Sequence, residues 1–336
     1  MNAATRARRV LSSALPVAFA AGGCSFDGPM STLPGRSDYA RSILHLYTII
    51  TWSAVVIALI VFGAELYILL GRRARRTAGG LPPQTRGHTL LEISWTIAPA
   101  LVLLIIAVPT IQVIFRTQAV SKPPDALEIV VRGYQWWWEY RYPALGVITA
   151  NEVHLPAGRP VVFVLEGPDV IHSFWIPRLG GKRDVVPGRV NHIVVTADAP
   201  GEFWGQCAEF CGASHANMGM RVWVHTPAEF DAWVAAQRAP AVEPTGAAAA
   251  GKTIFAASAC VGCHTIRGVS AGMLGPDLTH FGSRTTVAAG MWPNTPENVA
   301  AWVKNPIALK PGVKMPNLGL TDEQAGAIAA YLTALK

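Results

Sequence analysis

Two long apolar runs constrain the fold of this 336-residue chain more than any other feature. The first covers 28 residues, from 43 to 70, and the second covers 23 residues, from 93 to 115. An α-helix rises about 1.5 Å per residue, so a helix of either length can cross a hydrocarbon layer of about 30 Å. The composition agrees, because 51% of the residues are hydrophobic and only 15% are charged. The sequence therefore predicts a membrane protein with two transmembrane helices.

The segment between the two runs, residues 71–88, predicts how the helices are oriented. It contains five arginines and no acidic residue. The arginines are Arg72, Arg73, Arg75, Arg76 and Arg86. Because basic loops stay in the cytoplasm, we expect everything after the second run to lie on the periplasmic or extracytoplasmic side. The net charge of +7 is thus a topology signal, and no nucleic-acid partner is expected.

The amino terminus has the features of a secretion signal. Three arginines precede an apolar stretch, residues 10–21, that is too short to span a membrane. The small residues that follow, AGG before Cys24, resemble a bacterial lipoprotein cleavage site. We therefore expect residues 1–23 to be a signal peptide of the lipoprotein type and Cys24 to be lipidated. Ordinary cleavage near Ala20, which would leave Cys24 as a free thiol, is the alternative.

Beyond the second run the pattern changes to short strands. Four segments are rich in β-branched or aromatic residues, and Pro or Gly lies near their ends. They lie at 127–142, 161–165, 192–196 and 220–224. This spacing is typical of an all-β sandwich or barrel, closed here by a helix at about 227–237. We therefore predict a β domain at residues 125–237, followed by a linker at 238–250 that is rich in Pro and Ala.

Residues 207–218, with the sequence CAEFCGASHANM, place four potential metal ligands within twelve positions. The ligands are Cys207, Cys211, His215 and Met218. Thiolate, imidazole and thioether together suit copper that cycles between two oxidation states, whereas calcium and magnesium prefer oxygen. Zinc also accepts cysteine and histidine, but a methionine ligand is unusual for it. This copper loop therefore predicts a copper site that carries electrons.

A second metal motif is formed by Cys260, Cys263 and His264, whose CxxCH spacing attaches c-type haem. Two thiols at this spacing reach both vinyl groups of a porphyrin, and the adjacent histidine then lies under the iron. A thioredoxin-like pair would need a βαβ setting, and a zinc site would need a second pair of ligands. Residues 251–336 instead predict a small all-α domain. Its helices are expected near 253–259, 295–303 and 321–335, the last two with a threonine N-cap.

The second axial ligand of such a haem iron is expected from the far side of the same domain. Met315 is the best candidate, because it lies in a Pro-bounded loop about fifty residues after the motif and before the last helix. Met273 and Met291 are the alternatives, since a methionine in a small domain is often core packing. We also expect the carbonyl of Pro276 to bond to the free ring nitrogen of His264.

With these features the chain resembles subunit II of haem-copper cytochrome c oxidases, in the bacterial form with a fused cytochrome c. The resemblance runs from about residue 38 to the end. Besides the copper loop, its motifs are LEISWT at 91–96, GYQWWW at 133–138, VIHSFWIP at 170–177 and PGR at 187–189. The implied fold is a two-helix transmembrane hairpin, a cupredoxin-like β-sandwich or barrel and an all-α class I cytochrome c domain. These would occupy residues 38–118, 125–237 and 251–336.

The resemblance also implies a dinuclear copper A centre. Its six ligands would be Cys207 and Cys211 as bridges, His172 and Met218 on one ion, and His215 and the backbone carbonyl of Glu209 on the other. A disulfide between the two cysteines is the alternative, and it is chemically reasonable outside the cell. It would leave the two histidines and the methionine without a role.

Three further roles follow from the resemblance. Trp136 would be the place where electrons enter the copper domain, and Glu92 would lie at the mouth of a proton path. The side chain of Glu209 would bind magnesium shared with subunit I. Strand packing is the alternative for Trp136, and simple contact with water near the membrane surface is the alternative for Glu92.

Together these features imply subunit II of a respiratory cytochrome c oxidase in the bacterial inner membrane. It would take electrons from an upstream donor through its haem c and pass them through copper A to subunit I, which reduces oxygen to water with proton translocation. Subunits I and III would be its partners, and no oxygen site is expected in this chain. The alternatives are the electron-input subunit of a nitric oxide reductase and a non-enzymatic copper-binding membrane lipoprotein.

Overall fold

The computed structural model describes residues 28–74, 86–118 and 122–336. The expected signal peptide at 1–23, Cys24 and most of the basic loop at 71–88 lie outside these ranges.

Two long helices come first. Helix α1 covers Asp38–Ala74 and helix α2 covers Thr89–Gln118, so each extends beyond its apolar run into flanking polar residues. Both are long and apolar enough to cross a membrane, and large side chains such as Phe62 and Leu104 are exposed along them. Apolar side chains exposed in this way suit lipid and not water. The predicted pair of apolar helices is confirmed.

Ten strands and one helix follow. They are β1 (Leu127–Tyr134), β2 (Trp137–Tyr142), β3 (Val147–Ala150), β4 (Glu152–Pro156), β5 (Pro160–Glu166), β6 (His172–Trp175), β7 (Arg183–Val185), β8 (Val190–Thr196), β9 (Gly201–Cys207), β10 (Gly219–His225) and α3 (Pro227–Arg238). One sheet has the order β3-β2-β1-β5-β8, and the other has the order β4-β10-β9-β6-β7. Strands β1 and β5 run parallel, as do β4 and β10, and the other pairs are antiparallel.

The facing sides of the two sheets form one apolar core. Burial alternates along β1, so Leu127, Ile129 and Val131 point inward. Trp138 of the first sheet meets Phe174 of the second edge to face, with ring centroids 5.5 Å apart. This is the predicted cupredoxin-like β-sandwich, and the copper loop lies between two strands of its second sheet.

The segment 127–142, predicted as one strand-like run, folds as a hairpin. Strand β1 ends at Tyr134 and β2 begins at Trp137, and the rings of these two residues stack with centroids 4.6 Å apart. Trp136 in the turn favours strands as strongly as the aromatic residues on either side of it, so the composition gave no sign of a turn. As a result, Trp136 lies in the turn and not in a strand.

The carboxyl-terminal part of the chain is helical, as predicted. Its helices are α4 (Ala247–Ala257), α5 (Cys260–Cys263), α6 (Pro296–Lys304), α7 (Pro306–Leu309) and α8 (Asp322–Ala334). Two short ladders pair β11 (Thr265–Ile266) with β12 (Ser270–Ala271) and β13 (Thr286–Val287) with β14 (Trp292–Pro293). The hydroxyl groups of Thr295 and Thr321 cap α6 and α8, which confirms both predicted N-caps.

Helix α4 begins earlier than predicted. The last four residues of the expected linker, 247–250, form its first turn, because their run of alanines favours a helix. Helix α8 packs against α4 and α6. A side chain at Gly251 of α4 would overlap the carbonyl of Ala327, so glycine is what lets α4 and α8 come this close.

Candidate copper and haem sites

The copper loop connects two neighbouring antiparallel strands. Strand β9 ends at Cys207 and β10 begins at Gly219. The N–H group of Cys207 donates to the carbonyl of Met218 at 2.9 Å and closes the base of the loop. Strand β6 pairs with the other side of β9 and begins with His172. The second sheet therefore brings His172, 35 positions earlier in the chain, to the side of the loop.

Three candidate ligands surround the sulfur of Cys207. Its Sγ atom is 3.9 Å from Nδ1 of His172, 3.8 Å from Sγ of Cys211 and 3.2 Å from the carbonyl oxygen of Glu209. His172 and the two cysteines are buried, and their ligand atoms lie within 4.8 Å of one another. Because metal–ligand bonds in such sites measure about 2.0–2.3 Å, donor atoms at this spacing can share an ion.

The other two candidates surround Cys211. Its Sγ atom is 3.5 Å from Nδ1 of His215 and 3.9 Å from Sδ of Met218. His215 lies in a short 3₁₀ turn, residues 215–217, that brings its ring back toward the loop. The structure thus gathers all six candidate ligands into one cluster, and the soft sulfur and imidazole donors fit copper.

A disulfide between Cys207 and Cys211 does not fit this geometry. The sulfur atoms are 3.8 Å apart, whereas a disulfide bond is about 2.05 Å long. The contact with Cys211 lowers the pKa of Cys207 well below its usual range, although burial opposes this shift. The lowered pKa of Cys207 favours its thiolate, which is the form that binds metals.

Asp169 orients the His172 ring, a role that was not predicted from the sequence. Its Oδ1 atom is 2.9 Å from Nε2 of His172, so Nδ1 of the ring faces Cys207. Burial disfavours the charged imidazole, but the contacts with Asp169 and Cys207 outweigh it and raise the pKa of His172. The N–H of Gln135 holds the second oxygen of Asp169 at 2.8 Å. An acidic residue three positions before a candidate ligand was the available signal.

Trp136 lies against the copper loop. Its indole N–H donates to the carbonyl of Cys211 at 3.0 Å, and the side-chain amide of Gln135 donates to the same oxygen at 2.8 Å. Only 5% of Trp136 is exposed. Trp136 is thus packed in the core of the β domain and also hydrogen-bonded to the copper loop, and its expected role in electron entry stays a prediction.

The CxxCH motif lines a cavity of about 530 Å³ in the helical domain. Cys260 and Cys263 lie at the two ends of the single-turn helix α5, and His264 follows directly. Nδ1 of His264 lies 2.9 Å from the carbonyl of Pro276, as expected. A side chain at Gly275 would lie 2.6 Å from the His264 ring, so glycine makes room for this ring. Thiols, imidazole and apolar walls fit a covalently bound haem.

Among the candidate methionines, Met315 has the most suitable position. It lines the cavity and packs against the core of the helical domain. Met273 also lines the cavity, but 79% of it is exposed, whereas Met291 is not among the lining residues. The geometry therefore favours Met315 as the second axial ligand, in agreement with the sequence.

The β domain supplies part of the wall of this same cavity. Tyr134, Gln135, Trp136 and Asp169 line it together with the haem motif. The candidate haem site and the candidate copper site therefore adjoin, and Trp136 contacts both.

Comparison with known proteins supports this architecture across the chain. Residues 32–113 match the family described as the transmembrane domain of cytochrome c oxidase subunit II, and residues 145–224 match its periplasmic domain. Residues 248–336 match the cytochrome c family. A cytochrome c oxidase subunit 2 from Alkalihalophilus pseudofirmus is 38% identical, over 94% of this chain and 93% of the relative. The chain belongs to the cytochrome c oxidase subunit II family.

Other relatives show the range of this family. A cytochrome c oxidase subunit 2 from Bacillus subtilis is 34% identical, over 91% of this chain and 92% of the relative. A quinol oxidase subunit 2 from Bacillus cereus is 31% identical, over 67% of this chain and 78% of the relative. The chain is thus a membrane-bound subunit of an oxidoreductase complex, and its matched domains indicate copper and haem c as cofactors. Other oxidase subunits are its partners, and a non-enzymatic copper lipoprotein is not supported.

The carboxyl groups of Glu92 and Glu209, for which further roles are expected, are not buried. Glu92 is exposed in the first turn of α2. The side chain of Glu209 is partly exposed next to Phe210, of which 77% is exposed. Their expected parts in a proton path and in magnesium binding remain predictions.

Proposed function

We propose that this chain relays electrons from a covalent haem c to a dinuclear copper A centre and then to subunit I, where oxygen is reduced to water. The observation that carries the proposal is the position of Trp136. Its indole bonds to the carbonyl of Cys211 in the copper loop, and it also lines the haem cavity. A single buried side chain therefore connects the two sites, and we propose it as the place where electrons enter the copper domain.

The copper centre is proposed to hold two ions. The ligands would be Cys207 and Cys211 as bridges, His172 and Met218 on one ion, and His215 and the carbonyl of Glu209 on the other. Their mutual distances of 3.2–3.9 Å support this assignment. Two ions that share one electron through sulfur spread the change of charge over several bonds, so little has to move.

The haem site is proposed to use four residues of the helical domain. Cys260 and Cys263 would form the thioether bonds, and His264 and Met315 would be the axial ligands of the iron. The carbonyl of Pro276 fixes the orientation of the His264 ring. The chain would pass one electron at a time, oxidising the haem iron and reducing the copper pair by one.

The orientation follows from the basic loop at 71–88. We propose that it faces the cytoplasm and that the copper domain (125–237), the linker (238–250) and the haem domain (251–336) face the periplasmic or extracytoplasmic side. Subunits I and III are the proposed neighbours, and an upstream cytochrome c or respiratory complex is the proposed donor. Proton translocation with Glu92 at the mouth of a path, magnesium at Glu209 and lipidation of Cys24 belong to this proposal.

A haem and metal analysis of the purified full-length chain tests this function. We expect two copper ions and one covalently bound haem per chain. A single zinc ion, or haem that acid acetone extracts, would contradict the proposal. The same analysis separates this chain from a quinol-oxidising relative without copper ligands, for which no copper is expected.

A further inference from the structure

Glu152 makes an unusual contact with the helical domain. It begins β4 of the copper domain and is 1% exposed. Its Oε1 atom accepts hydrogen bonds of 2.8–3.0 Å from the backbone N–H and hydroxyl groups of Thr285 and Thr286. A carboxylate is costly to bury unless it is hydrogen-bonded, so the haem domain supplies the partners that make this burial tolerable.

Lys310 makes a comparable contact from the haem domain to the copper domain. It belongs to the haem domain and is 2% exposed. Its amino group donates to the carbonyl of Trp136 at 2.7 Å and to the carbonyl of Ala288 at 2.9 Å. One acceptor lies in each domain, so the side chain is fully satisfied only while the domains are in contact.

Two further hydrogen bonds join the domains. The N–H of Gly219 donates to the carbonyl of Ala289 at 3.0 Å, and the hydroxyl of Ser214 donates to the carbonyl of Pro311 at 2.7 Å. Ala289 has a φ angle of 66°, which residues other than glycine rarely adopt. Such a conformation persists where the surroundings hold it, as at functional sites. The contact is therefore a packed interface with defined hydrogen bonds.

The haem domain also covers Trp136. Gly312 has a φ angle of 78°, and a side chain there would lie 2.7 Å from the Trp136 ring. Since only 5% of Trp136 is exposed, another protein cannot reach it while the domains are in contact.

We propose that Glu152 and Lys310 are positioning residues that hold the haem domain in one fixed arrangement over Trp136 and thereby close this face to other electron donors. The inference rests on the proposed electron relay, because it assigns Trp136 the place where electrons enter the copper domain. An external donor then reduces the copper centre only through the haem of this chain.

This arrangement differs from docking by surface charge. Residues 248–336 carry seven basic and four acidic side chains, and residues 121–240 carry ten and twelve, so a general attraction exists. Attraction between exposed charges weakens with salt, whereas buried contacts are screened much less. Contact through Glu152 and Lys310 should therefore persist at high ionic strength.

Hydrogen exchange of backbone amides in the full-length chain with its haem and copper tests the proposal. For each variant, the exchange rate is measured at a contact between the domains whose own atoms the substitution does not change. In Glu152→Ala, the Gly219 amide should exchange about tenfold faster or more, and in Lys310→Met the amides of Thr285 and Thr286 should do the same. Glu152→Gln, which keeps an acceptor oxygen, should show a smaller increase. Asp231→Asn, which changes an exposed carboxylate on α3, should show none.

Unchanged exchange at the distant contact, with the haem and copper spectra intact, would overturn the proposal. If Glu152→Ala loses its copper spectrum, Thr286→Val removes a donor from the haem side and is measured at the same Gly219 amide. In the Glu152→Ala/Lys310→Met double variant, transfer from haem to copper should slow about tenfold or more and become sensitive to salt. Missing transfer in the unaltered chain would count against the relay, whereas the exchange result decides the docking independently.

Discussion

The indole N–H of Trp136 donates a hydrogen bond of 3.0 Å to the backbone carbonyl of Cys211. Cys211 is a candidate bridge between two copper ions, and the ring of Trp136 lies against Gly312 of the haem domain. The two residues therefore join the copper loop to the surface on which the haem domain rests. In the proposed relay, this hydrogen bond is part of the route from the haem cavity to the copper ligands.

Replacing Met218 by leucine should change the copper site without unfolding the domain. Met218 is fully buried, with its sulfur 3.9 Å from that of Cys211. Leucine has a similar volume, so we expect a loss of less than about 1.5 kcal/mol in the free energy of unfolding. The reduction potential of the copper should shift in a spectroelectrochemical titration. Met220→Leu, which alters another fully buried methionine on β10, should leave it unchanged, and an unchanged potential in both variants would exclude Met218 as a ligand.

Replacing Gly312 by alanine should disturb the contact between the domains. The new methyl group would lie 2.7 Å from the Trp136 ring, at a backbone φ of 78° that alanine disfavours. Gly319 has a φ of 67°, and a side chain there would have no atom within 4 Å. Gly319→Ala therefore adds the backbone strain without a new contact. Transfer from haem to copper should be slower in Gly312→Ala than in this control. Equal rates in the two variants would show that the Trp136 contact is not needed.

Replacing Met315 by leucine should remove an axial ligand of the haem iron. A methionine ligand raises the reduction potential of a c-type haem, so the potential should fall, and the absorption spectrum should change. Met273→Leu is the control, because 79% of this methionine is exposed at the rim of the cavity. If the Met273 variant changes the potential and the Met315 variant does not, the assignment of the ligand is wrong.

The stability of the copper domain should fall in mild acid. His154 and His225 share a hydrogen bond of 2.8 Å, and the His154 ring stacks on Trp233. Burial lowers the pKa of both histidines, to well below the ordinary value for His154, which His225 and Arg284 lower further. At these two histidines the folded domain therefore binds fewer protons than the unfolded chain, so the stability that they contribute is full above about pH 6.5 and is lost as the pH falls below it.

Each histidine can contribute up to about 1.4 kcal/mol per pH unit to this loss. Thermal unfolding measured between pH 7 and pH 5 should show it. His154→Gln should flatten the dependence on pH, because glutamine does not titrate. A wild-type melting temperature that stays constant over this range would contradict the expectation.

Much of the fold could be predicted because its signals are local. The apolar runs, the strands around 161–165, 192–196 and 220–224 and the two threonine caps depend on neighbouring residues, and all appear in the structure. Strands β6 and β7 have only four and three residues, too few for a clear alternation of apolar and polar side chains. His172, on β6, was therefore found only through the family resemblance.

The contacts between the domains could not be predicted from the sequence. Glu152 and Thr286 are 134 positions apart, and Trp136 and Lys310 are 174 positions apart. No local periodicity or motif links positions this distant. Asp169, which orients His172, could have been suspected from its charge and spacing, but only the fold shows that its carboxylate reaches the ring.

The rate of electron transfer within the full-length protein tests the central claim most directly. A light-activated reductant would reduce the haem, and the absorbance of the haem and of the copper would then be followed over time. The relay predicts a first-order transfer whose rate does not depend on protein concentration. It should slow in Trp136→Phe, which lacks the hydrogen bond to Cys211, and should not change in Trp204→Phe, an exposed residue of β9. Copper that stays oxidised, or a rate proportional to protein concentration, would contradict it.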